Sequence, residues 1–142
     1  MLEEVTRDRS LHDLGEALVR DRRRRLAEAA RIEALVAEGL LEEAGIAVTH
    51  LLLAVHMGEG GGSDLAAVRG VTALTRAHAE RGNHEDVDLG LAALEALVAK
   101  AGPEAATLGE ARMRELAAVF DDDEIGRRAR QISTRFAKCV AG

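Results

Sequence analysis

Apolar residues recur along this chain at the three- and four-residue spacing of amphipathic helices. Leu11, Leu14 and Leu18 form a first stripe, which resumes at Leu26, Ala29, Ala30, Ile32 and Val36 and ends at Gly39. Ser10 and Asp13 have the spacing of a capping box, so this helix is expected to begin near residue 10. It then runs through "RDRRRR" at 20–25 or breaks once there. Residues 40–57 carry Leu41, Ala44, Val48, Leu51, Leu52 and Val55 on nearly every side, which predicts the most buried helix of the protein. "GEGGGSD" follows as a flexible linker, with Ser63 or Asp64 placed to cap the next helix. That helix is marked by Val68, Val71, Leu74 and His78, and Gly82-Asn83 ends it. Val87, Leu91, Leu94 and Val98 mark a fourth helix, and Leu108, Leu116 and Phe120 a fifth, entered through Pro103. Ile125, Ala129, Ile132, Phe136 and Val140 mark a last one, behind the acidic segment 121–124.

The breaks at Gly39, Gly82 and about Glu124 fall 43 and 42 residues apart. A rhythm of this size points to stacked helical hairpins, because a single hairpin cannot bury its own apolar face. The expected fold is all-α: one domain of six or seven helices in three antiparallel hairpins, at about 10–57, 64–101 and 104–140. The hairpins either stack in a row or close into a compact bundle. Composition sharpens this picture at one point. Phe120 and Phe136 are the only aromatic residues, so the core has to be built from Leu, Val, Ile and Ala, which lets helix backbones approach closely.

Two helix-pair segments resemble the tetratricopeptide motif. In "VTALTRAHAERGNHEDVDLGLAAL", Leu74, His78, Gly82, His84, Val87, Leu91 and Leu94 take its apolar, aromatic and turn positions. In "ARIEALVAEGLLEEAGIAVTHL", Leu35, Gly39, Ala44, Val48 and Leu51 do so. The resemblance implies a stack that binds a peptide or a helix of a partner protein. "EGLLEEAGIAVTHLLLAVH" with "VRGVTALTRAHAERG" is similar to the HEPN family of helical bundles, which implies an RNA-directed or toxin–antitoxin role. Arg7 and His12 are the match to that family's Arg-then-His signature, here placed near the N-terminus. "HAERGN" is similar to the segment around the phospho-accepting histidine of histidine phosphotransfer domains, although His78 stands only four residues before the expected helix stop.

The histidines are the residues most able to carry chemistry, and each has a plainer reading. His78, Glu80, His84 and Asp88 flank a turn and lack the His-Glu-x-x-His order of a helical zinc site. His50 and His56 point about 120° apart on one helix, which suits partly buried, hydrogen-bonded side chains better than a shared site. No catalytic residue, metal or cofactor is assigned, and His50, His56, His78 and His84 remain the set for a helical-bundle enzyme or ligand-binding protein. The arginines at 20 and 22–25 cannot share one face, and nearby carboxylates such as Glu16 and Glu28 suit a salt-bridged surface.

Charge and cysteine content exclude some classes. A net charge of −6 argues against general nucleic-acid affinity. Cys139 stands alone, which rules out an internal disulfide and a cysteine-based zinc site and fits a reducing cytoplasm. The start of the chain, "MLEEVTRDRS", is not patterned as a secretory signal, and the longest apolar run is shorter than the roughly 20 residues of a membrane span. The expectation is therefore a cytoplasmic, non-enzymatic interaction module, and a homodimer, since a short stack has apolar ends to cover. Its binding face would come from the helices ending at Gly39, Gly82 and Asp121, through Arg24, Arg31, Arg69, Arg76, His78 and Arg112. Such a face favours a partner of acidic character.

Overall fold

A computed structural model describes residues 2–141, with side chains described for 11–141. It contains six helices and, among the described residues, no strand. The helices are α1 (Leu2–Ala37), α2 (Leu41–His56), α3 (Ser63–Glu80), α4 (His84–Val98), α5 (Pro103–Val119) and α6 (Glu124–Ala141). They form three successive hairpins.

Three helix ends close in the same way. At the end of α1, Gly39 takes φ +81°, its N–H donates to Val36 O at 3.0 Å, and Leu40 N–H donates to Leu35 O at 2.9 Å. At the end of α3, Gly82 has φ +74° and Asn83 N–H donates to His78 O at 2.9 Å. The 57–62 segment repeats the pattern, with Glu59 N–H donating to Ala54 O at 3.0 Å. Only a residue without Cβ enters this left-handed turn freely while the last carbonyls are satisfied. The expected flexible linker is thus a closed turn, and it is also tied down: the Glu59 carboxylate pairs with Arg25, and its carbonyl accepts the Ser63 hydroxyl.

Ser63 and Asp64 do not cap α3 in the expected way. Gly62 stands at the N-cap. Asp64 instead accepts from Leu65 N–H at 2.9 Å through one oxygen and from Gly102 N–H at 2.8 Å through the other, joining the start of α3 to the start of α5.

The enclosed helix is α3, which packs against α1, α2, α4 and α5. Leu65, Ala66, Ala67, Val68, Val71, Thr72, Thr75 and Ala79 are buried along it. This corrects the expectation for α2, which buries Ala44, Val48 and Leu51 but exposes Ile46 and Leu53. All-round apolar content records what a helix could bury, whereas enclosure depends on how many neighbours reach it. His50 and His56 also lie on the exposed side of α2, so they are not the partly buried side chains expected. The tightest helix pair is α5 with α6. There Phe136 is fully buried over Gly109, and Gly126 lies against the carbonyl of Phe120.

The first helix starts at Leu2, well before Ser10, and continues unbroken through the arginines. Ser and Asp inside an exposed helix cost only a few tenths of a kcal/mol, and the first glycine is Gly15, so nothing stops the helix from extending. At 1.5 Å per residue its 36 residues span roughly 54 Å, against roughly 24 Å for the 16 of α2. Among the residues whose side chains are described its first buried one is Ala29, and Arg22 meets the edge of the body through Glu104 at 2.8 Å. The N-terminal part of α1 is therefore an arm that projects beyond the packed hairpins.

Candidate functional site

Both α2 and α4 pack on α3, yet they make no substantial contact with each other. The gap is a groove of about 440 Å³. Val71, Leu74, Thr75 and His78 of α3 form its floor at helical spacing; Leu41, Gly45, Val48, Thr49 and Leu52 of α2 line one wall, and Asp86, Leu89, Gly90 and Ala93 of α4 the other. Gly90 sets the depth on the α4 side. It sits directly on the buried Thr75, and a methyl group there would collide with the threonine hydroxyl. The lining is largely apolar, and Leu89 is 70% exposed at the rim. An aliphatic side chain held this far in water marks a surface where burial by a partner gains hydrophobic free energy.

One end of the groove is polar. His78 is there, with only 13% of its side chain exposed. Its Nδ1 lies 3.0 Å from Asn83 Nδ2 and 3.7 Å from Asp86 Oδ2. An amide nitrogen can only donate, so this contact is a hydrogen bond when Nδ1 carries no proton. Asp86 and Glu42 place carboxylates at this end.

The structure divides the residues singled out from the sequence. The helices α1, α3 and α5 do lie side by side, with α3 in the middle, and they carry Arg31, Arg69, Arg76 and Arg112 on one surface. Every one of these arginines faces a carboxylate, however. Arg31 pairs with Glu28 at 3.2 Å, Arg69 with Glu33, Arg112 with the same Glu33 at 3.9 Å, and Arg76 with Glu80 at 3.0 Å and Glu115 at 3.8 Å. Four guanidinium groups meet four carboxylates, so the surface is balanced in charge. Arg24 stands apart at the base of the arm, 3.7 Å from Asp21. His78 lies on the opposite side of α3 from Arg69 and Arg76, in the groove.

His50, His56 and His84 are exposed and converge on nothing. Among the described residues no three His, Cys, Asp or Glu side chains gather as metal ligands would. Arg7 lies outside the residues whose side chains are described, while His12 is exposed on the arm and pairs with Glu16 at 3.2 Å. No helix among the described residues is long and apolar enough to cross a membrane.

The groove residues Leu89 and Gly90 were missed by periodicity. Leu89 does carry a signal, because it falls off the stripe of Val87, Leu91, Leu94 and Val98 that faces the core. A leucine out of phase with a buried stripe marks a second apolar side. Comparison with protein-family models, with curated proteins and with solved structures finds no match for this chain.

Proposed function

We propose that this chain is a non-enzymatic interaction module that holds an amphipathic helix of a partner protein in the groove between α2 and α4. The observation that carries the reading is the separation of those two helices over α3, which leaves an apolar trough with Leu89 exposed at its rim. Helix-in-groove recognition uses apolar anchors at i, i+3, i+4 and i+7 laid into such a trough. The preferred partner is basic: the arginine surface that favoured an acidic one is neutralised, whereas Glu42 and Asp86 mark the end of the groove. A reducing cytoplasm suits the lone, unpaired Cys139.

Tagged co-purification from native lysate, with and without ribonuclease, tests this reading. The expected result is a stoichiometric protein that survives ribonuclease and is lost from a Leu89→Glu variant. Binding that is indifferent to Leu89→Glu, or retention of RNA alone, would overturn it.

A further inference from the structure

The polar end of the groove lies where three helix ends meet. Along the lining, residue numbers rise from Leu41 to Leu52 in α2 and from Asp86 to Ala93 in α4, and fall from His78 to Val71 in α3. The starts of α2 and α4 therefore stand beside the end of α3. Two of the glycine turns meet there as well, since the Arg81 guanidinium comes within 2.9 Å of where a side chain at Gly39 would begin.

Carboxylates in a first helical turn suit the helix dipole, so the sign of Glu42, Glu43, Glu85 and Asp86 marks no site by itself. Two of them have distinct surroundings. Glu42 and Asp86 line an apolar groove, and among the described residues neither is paired with an arginine or a lysine. Asp86 faces His78 instead, with Oδ2 3.7 Å from Nδ1. The ring is mostly buried, and it forms part of the groove floor.

We infer that this end selects the occupant: a lysine or arginine side chain of the bound helix lies on Asp86 and Glu42, and a proton on His78 competes with it. The inference rests on the groove as the binding site. An apolar trough gives affinity without choosing among amphipathic helices, whereas two unpaired carboxylates at one end fix the sign of the side chain that lies there. His78 adds a condition. With Nδ1 unprotonated it accepts from the Asn83 amide and leaves the charge of Asp86 to the occupant. Protonated, it loses that acceptor and sets a cation of its own beside Asp86. The occupant also covers the ring, which disfavours the charged form further. Both effects have the same sign, so binding weakens as pH falls through the range in which histidine takes its proton.

The other charged groups nearby do not reverse that sign. Asp86 from α4 and Glu42 from α2 are on the groove side of His78. Arg81, one turn further along α3, reaches toward Gly39, and His84 is exposed at the start of α4. The remaining neighbours of α3, α1 and α5, carry their arginines on its opposite side.

Titration calorimetry of the full chain with two synthetic amphipathic peptides tests the inference. Both have leucines at i, i+3, i+4 and i+7. One carries a lysine in each end turn, and the other has glutamine there. The lysine peptide is expected to bind more tightly than the glutamine peptide at about pH 7.5, and to lose about tenfold in affinity by about pH 5.5. Between those values its binding should release protons, read from the difference in heat between two buffers of unlike ionisation enthalpy. His78→Gln should keep the affinity at the higher pH and abolish the loss, and His84→Gln should retain the loss. Asp86→Asn should reduce the preference for lysine. Failure of both peptides to bind, or binding indifferent to Leu89→Glu, would overturn the groove reading itself. With that reading intact, equal affinity for the two peptides would overturn the selection. A loss at low pH that persists in His78→Gln, or no loss in wild type, would overturn the role of His78.

Discussion

Phe136 occupies the space that a side chain at Gly109 would need: a methyl group there would come within 2.6 Å of Phe136 Cε2. Phe136 is one of only two aromatic residues and is fully buried. The last hairpin closes because α5 presents Gly109 to the Phe136 ring and α6 presents Gly126 to the carbonyls of Ala117 and Phe120, which allows the two helices to approach until the ring fits.

The sign of Gly109→Ala follows from that contact. In a helix interior, exchanging glycine for alanine ordinarily stabilises by up to about 1 kcal/mol. Here the added methyl overpacks the core, which costs about 1–3 kcal/mol. The expected outcome is a net loss of about 1–2 kcal/mol, read from urea denaturation. Combining it with Phe136→Leu should recover part of the loss, because the two changes share one space.

Asp64 joins two helix starts through two backbone N–H groups, those of Leu65 and Gly102. Asp64→Ala removes both acceptors and leaves a half-buried donor at Gly102, so a loss of about 1–3 kcal/mol is expected. Asp64→Asn keeps one acceptor oxygen and should lose less. Thermal denaturation of the two variants beside wild type checks the order.

Binding and stability should separate at the groove. Leu89→Glu changes an exposed side chain and is expected to shift stability by no more than about 0.5 kcal/mol while abolishing capture of the partner. Arg112→Ala sits on the balanced α1, α3 and α5 surface and should leave partner binding unchanged. Pull-down with both variants reads the contrast, and loss of the partner from Arg112→Ala would return the binding face to the arginines.

The helical hairpins were legible in the sequence because their signals are local. Gly39 and Gly82 mark positive-φ turns closed by hydrogen bonds within five residues, and Pro103 and the Val87, Leu91, Leu94 stripe act over one or two turns. Such terms depend on neighbours in the chain, so the residues themselves state them. The tertiary structure alone decided which helix is enclosed, which arginines find a carboxylate on another helix and where the apolar surface opens. Arg22 meets Glu104 across 82 residues, Arg25 meets Glu59 across 34, and Arg69 and Arg112 converge on Glu33 from two other helices. The groove exists because α2 and α4 each found α3 but not one another, a packing outcome that no single helix encodes. Periodicity tells a helix which side to bury. Only the assembled neighbours determine which apolar residues, Leu89 and Leu14 among them, are left without cover.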